Sequence, residues 1–213
     1  MPIVRRPTPV PGLARERHWW SAGAVVAGVD EVGRGAWAGP VTYAAVVLPT
    51  ERRLYKLRDS KLLRPDERTH LARRIRDAAA VGVGQAGNAE IDRLGMSVAM
   101  RLAARRAVRA LPVRPDVLLL DGNWDFLAGF EAHREPIVGG DRVSASVAAA
   151  SIVAKVARDE RMVEADPSHP DYAFASNKGY PTPAHLDALD RVGPCVLHRH
   201  SWSPIARLTA LIR

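Results

Sequence analysis

Acidic residues recur in this sequence at the ends of apolar runs. Ala24-Val25-Val26-Ala27 leads through Gly28-Val29 to Asp30-Glu31, Val117-Leu118-Leu119-Leu120 to Asp121-Gly122, and Ile137-Val138-Gly139-Gly140 to Asp141. Carboxylates with no cysteine and no converging histidine beside them are a hard, oxygen-only donor set, suited to Mg²⁺ or Mn²⁺. Two such ions about 4 Å apart activate a water and stabilise the leaving oxygen of an in-line phosphoryl displacement. A plainer role stands beside each residue. Asp30 and Glu31 read equally as turn residues with Arg34 as a solvated counter-ion, Asp121 as an Asp-Gly turn, and Asp141 as a helix cap. The same pattern at three separate places favours the shared chemical role.

A second set of residues surrounds these. Gly33-Arg34-Gly35, closed by Gly39-Pro40, frames one arginine with glycines. Glycine lets a backbone approach a ligand closely, so this stretch reads as a substrate-facing loop. Tyr180, held between Gly179 and Pro181, either presents its ring or packs it inside. Asp59-Ser60-Lys61 reads first as a turn or capping segment before a helix. Lys155 and Arg158 lie on one helix, where Asp159 and Glu160 give partial pairing. His198-Arg199-His200 reads as surface.

The elements that must position these residues follow from periodicity. The apolar run from Ala24 that carries into Asp30-Glu31, and Val41-Thr42-Tyr43-Ala44-Ala45-Val46-Val47-Leu48, make a strand, a turn and a strand. Side chains alternate along a strand, so Asp30 and Glu31 share a site only if the strand ends or bulges there. Pro65-Asp66-Glu67 starts a helix, with Leu71, Ile75 and Ala78 at helical spacing. Val81 to Ala86 alternates as a strand, and helices follow from Asn88 and from Met96. The run 117–120 reads as a strand covered on both faces. A helix from Ser144 to about Ala165 is rich in small residues, which allow close approach to a sheet. Pro167 to Pro183 reads as a long loop, and a helix carrying His185 follows to Val192. This order is α/β with a mixed sheet, and in helix-covered sheets ligands gather outside the carboxyl ends of the strands.

Composition narrows the class. At 213 residues and 47% hydrophobic, the chain is expected to be one globular unit. Its single cysteine, Cys195, excludes an internal disulfide and a cysteine zinc site. The net charge of +8 and a pI near 10.3 are the footprint of a nucleic-acid binder, although an arginine-rich coding bias also gives such a balance. The N-terminus has no apolar segment of the signal-peptide kind, and the longest apolar stretch, Ser144 to Ala154, is too short to span a bilayer. A cytoplasmic protein without membrane partners is expected.

Residues 28–40 closely resemble the signature of ribonuclease HII. The resemblance extends through Asp59-Ser60-Lys61, Asp121-Gly122, Gly140-Asp141, Ala148 to Asp159, Asn177 to Thr182 with His185, and Arg199-His200-Ser201 with Pro204. It implies a ribonuclease H-like mixed sheet flanked by helices, with a helical C-terminal extension. It divides the chain into a flexible basic arm (1–23), a catalytic domain (24–166) and an extension completing the substrate site (167–213). It also implies endonucleolytic cleavage of RNA in RNA–DNA hybrids, and incision 5′ to a single ribonucleotide in duplex DNA, leaving 3′-hydroxyl and 5′-phosphate ends. Asp30, Glu31, Asp121 and Asp141 would bind two divalent ions, Mg²⁺ or Mn²⁺. Gly33, Arg34 and Gly35 would read the ribose 2′-hydroxyl, Tyr180 would stack on the next sugar, and Lys61 and Lys155 would contact phosphates. Trp202 stands where phenylalanine is usual. The tail Leu208 to Arg213 lacks the paired aromatics of a sliding-clamp motif, and a monomer is expected.

Overall fold

The structure is a computed structural model and describes residues 10–51 and 63–211. Its centre is the expected hairpin. Strands β1 (Val26–Val32) and β2 (Val41–Val47) pair antiparallel, one to one, from Gly28 opposite Val46 to Val32 opposite Thr42. β3 (Ala80–Ala86) extends the sheet beyond β2. β4 (Val117–Asp121) lies parallel to β1, and β5 (His133–Ile137) parallel to β4. The result is a mixed five-stranded sheet in the order β3-β2-β1-β4-β5.

Helices cover both faces, as the unbroken apolar run of β4 requires. They are α1 (Ala14–Trp20), α2 (Pro65–Ala78), α3 (Asn88–Leu94), α4 (Met96–Arg109), α5 (Gly140–Val143), α6 (Ala145–Ala165), α7 (Phe174–Asn177), α8 (Pro183–Val192) and α9 (Ser203–Leu211). Ala103 and Ala107 of α4 pack with Val29, Tyr43, Leu118 and Leu120 on one face. Ile152 and Val153 of α6, with Leu71 and Ile75 of α2, pack with Ala44 and Val46 on the other. Each leucine buried in this way contributes about 1.5–3 kcal/mol. The small residues of α6 serve the close approach expected of them: a Cβ at Gly28 would lie 2.2 Å from the Ser146 carbonyl carbon. Helix and central strand therefore touch backbone to backbone.

Three expectations change. The strand before Asp141 is His133–Ile137, earlier than the apolar run suggested, so Asp141 does not end a strand. Gly139 turns the chain left-handed (φ 64°) and Asp141 falls on α5; the cap of α6 is Ser144, whose side chain accepts from the Val147 amide. The long loop is folded, with two 3-10 turns and α7, because Tyr172 and Phe174 are buried hydrophobic anchors there. His198 and Arg199, read as surface, are completely buried, since backbone groups of the 33–40 and 195 segments receive them. Within the expected arm, α1 inserts the buried Glu16, whose Oε1 accepts from Ser144 Oγ (2.6 Å) and from the Ser146 amide and hydroxyl (both 2.8 Å). No described helix is long and apolar enough to cross a membrane.

Candidate active site

The parallel pairing of β1 with β4 runs from Val26–Val117 to Val29–Leu120 and stops there. One rung further, Asp30 and Asp121 stand side by side at the carboxyl ends of the two strands, on the same face. Glu31 belongs to the opposite face, across from Tyr43. Even so, Asp30, Glu31 and Asp121 each offer a carboxylate oxygen, all within 4.8 Å of one another. No bulge is needed. β4 ends at Asp121, so the edge of β1 beside Glu31 has no β4 partner.

The cluster concentrates negative charge where water is scarce. Burial, then Asp121, then Glu31 raise the Asp30 proton affinity well above the carboxylate range, opposed by hydrogen bonds from the Ser151 side chain and the Glu31 amide. The Glu31 amide donates to Asp30 Oδ1 at 2.7 Å. The Gly140 amide donates to Asp121 Oδ1, also at 2.7 Å. An oxygen-only set with one desolvated member fits a hard divalent cation. Asp141 is buried on α5 directly after Gly140, but its carboxylate does not join the mutually close trio.

Two residues beyond Glu31, the glycine-framed loop begins. Gly33 is buried at φ 87°, a conformation that favours glycine, and a Cβ there would lie 2.1 Å from Arg158 Nε. Arg34 and Gly35 are exposed. Two fully buried arginines hold this loop from behind. Arg158 donates to the carbonyls of Pro40 (2.8 Å), Ala38 (3.0 Å) and Lys178 (2.8 Å). Arg199 donates to those of Gly33 (2.7 Å), Arg34 (2.9 Å) and Gly39 (3.1 Å). Burial lowers the proton affinity of both guanidiniums, that of Arg199 to about 9, which leaves Arg199 charged at neutral pH.

The same clamp seats Tyr180. The Gly179 carbonyl accepts from the Trp37 amide (2.8 Å) and the Ala38 amide (3.2 Å), tying the two loops together. The Tyr180 ring is half-buried, with the Arg158 guanidinium 5.2 Å and the Lys155 ammonium 5.7 Å from its centroid. Lys155 also pairs with Asp159 at 2.8 Å. Beside them lies a groove of about 610 Å³ lined by Arg68, Lys155, Asn177, Lys178 and Tyr180. Lys61 lies outside the described residues.

Sequence reasoning missed Ser151, the clamping role of Arg158 and Arg199, and the burial of His185 with His198. One signal was present: Ser151, Ala154, Arg158 and Met162 follow at helical spacing, which puts Arg158 on the buried stripe of α6. No comparable pattern marks Arg199.

Residues 27–205 match the family model described as ribonuclease HII. Ribonuclease HII of Moorella thermoacetica is 52% identical over 180 residues, spanning 84% of this chain and 86% of that protein. Ribonuclease HII of Streptomyces avermitilis is 50% identical over 180 residues, spanning 84% and 77%. In structure the chain is similar to ribonuclease H2 of Pyrococcus horikoshii, with TM-score 0.76 and 25% identity over 88% of this chain and 98% of that one. It shares its fold with Bst-RNase HIII in complex with Mn²⁺, at TM-score 0.66 and 20% identity over 89% and 70%.

Proposed function

From the premise that this chain belongs to the ribonuclease HII family and is a ribonuclease H endonuclease, we propose that it cuts at RNA–DNA junctions as well as within hybrids. It incises 5′ to single ribonucleotides in duplex DNA, leaves 3′-hydroxyl and 5′-phosphate ends, and so serves ribonucleotide removal and RNA primer removal in the cytoplasm. The observation that carries this reading is the adjacency of an acidic trio to a glycine-framed loop that two buried arginines lock to Tyr180.

Asp30, Glu31 and Asp121, with Asp141 on α5, would hold two divalent ions, Mg²⁺ or Mn²⁺. Bound there, such ions supply activation of a water and neutralisation of charge on the leaving oxygen. Gly33, Arg34 and Gly35 face the ribose and read its 2′-hydroxyl, the group that separates RNA from DNA. Tyr180 stacks on the following deoxyribose, and Lys155 and Lys61 contact phosphates. Residues 24–166 act as the catalytic unit, with 167–213 completing the substrate site; the protein acts as a monomer. The test is cleavage of a labelled DNA duplex holding one ribonucleotide, with Mg²⁺, Mn²⁺ or chelator. A metal-dependent nick on the 5′ side is expected; cutting of long hybrids alone would remove the junction-reading assignment.

A further inference from the structure

His185 of α8 and His198 of the following segment are fully buried, and their Nε2 atoms are 3.0 Å apart. Neither is near the acidic trio in sequence. Each end of the pair meets a backbone group of known polarity. The Cys195 amide donates to His198 Nδ1 at 2.9 Å, and His185 Nδ1 lies 2.9 Å from the Tyr180 carbonyl, which can only accept. His198 Nδ1 also lies 3.2 Å from the Cys195 carbonyl, but the Cys195 amide is closer and can only donate; the Tyr180 carbonyl accepts from the Thr182 amide at 2.8 Å and offers its second lone pair to His185.

One arrangement of protons satisfies every contact. His198 accepts at Nδ1 and carries its proton on Nε2, which it donates to His185 Nε2. His185 then carries its proton on Nδ1 and donates to Tyr180. The reverse tautomers would set two N–H groups face to face at Cys195 and two lone pairs at Tyr180. A third proton has no place, so both rings are neutral. Their surroundings agree. Phe174 meets His185 edge-on at 5.5 Å, and Tyr172 lies 4.9 Å from His198. The Tyr172 hydroxyl is turned away, donating to the Gly193 carbonyl at 2.7 Å. The titratable groups that act on His198 are His185, His200 and His169, none of them a carboxylate. Burial lowers the proton affinity of both rings.

We propose that His185 and His198 are positioning residues for substrate recognition: a neutral two-ring relay, anchored at the Cys195 amide, that fixes the Tyr180 carbonyl and with it the direction of the Tyr180 ring. The inference rests on the reading of Tyr180 as the group that stacks on the sugar at the junction. The relay adds an anchor to that loop at the Tyr180 carbonyl itself.

Two measurements test it on the full chain. Long-range ¹⁵N–¹H spectra of the wild-type protein should show His185 protonated on Nδ1 and His198 on Nε2; the opposite tautomers would overturn the relay. Cleavage of a duplex with one embedded ribonucleotide is then compared with cleavage of an all-RNA hybrid strand, for His185→Leu, His185→Asn and Tyr180→Ala. Loss of one oriented hydrogen bond predicts that His185→Leu lowers the first activity about tenfold relative to the second. His185→Asn, which keeps an N–H near the Nδ1 position, should recover most of it. If Tyr180→Ala shifts the ratio and folded His185→Leu does not, the relay is overturned while the reading of Tyr180 stands. If Tyr180→Ala leaves the ratio unchanged, that reading falls and takes the relay's functional role with it.

Discussion

The acidic trio and the arginine clamp meet at the exit of β1, only two residues apart between Glu31 and Gly33, yet they treat charge in opposite ways. The trio crowds three carboxylates within 4.8 Å and raises the proton affinity of Asp30, an arrangement that invites a cation. The clamp buries two guanidiniums but surrounds them with six backbone carbonyls, so their charge is answered inside the protein. A crowd of like charges is a site for chemistry. Charges locked against backbone carbonyls are a device for shape: they hold the 33–40 loop and the Tyr180 loop in a fixed relation.

The comparison is broken most severely on the acidic side. Asp121→Asn should lower cleavage by roughly 10³-fold or more while a catalytically silent binding assay shows hybrid affinity retained. Equal cleavage by variant and wild type would remove Asp121 from the site. On the clamp side, Arg199→Ala leaves the carbonyls of Gly33, Arg34 and Gly39 without this donor and opens a cavity, so urea unfolding should show a loss of about 3 kcal/mol. Unchanged stability there would mean that water replaces the guanidinium at no cost.

The histidine pair offers a gentler probe of the buried side. Burial and the neighbouring His185 push His198 down to about 4 from an ordinary value of 6.5. The unfolded chain therefore takes up a proton that the folded chain refuses, and stability present above pH 6.5 is lost as the pH falls toward about 4. Thermal unfolding of wild type against His198→Gln across that window should show a shallower slope for the variant. The smallest effect is expected at Lys155: its pair with Asp159 is partly exposed, so Lys155→Ala should change stability by less than about 1 kcal/mol. A larger loss would place Lys155 in the clamp.

Much of the site was legible because strand ends announce themselves. The apolar run 117–120 stops at Asp121, and the structure ends β4 there. Asp30 and Glu31 were legible as a pair but not in their geometry: there is no bulge, and the edge of β1 beside Glu31 has no β4 partner. Asp141 was harder, since Val138 and Gly139 looked like strand and are a left-handed turn into α5. His198 and Arg199 were misread as surface because a polar tripeptide carries no mark of the carbonyls and amides waiting for it.

By itself the sequence determined the strand order along the chain, the main helices, the acidic ends at Asp30-Glu31 and Asp121, and the family, because periodicity and motif spacing are local properties of the chain. Tertiary structure alone decided which charges crowd together and which are locked against backbone carbonyls. Whether an arginine is solvated or locked against three carbonyls depends on segments more than a hundred residues apart, as Arg199 and Gly33 are; whether two histidines share one proton line depends on how residues 180–198 fold back on themselves.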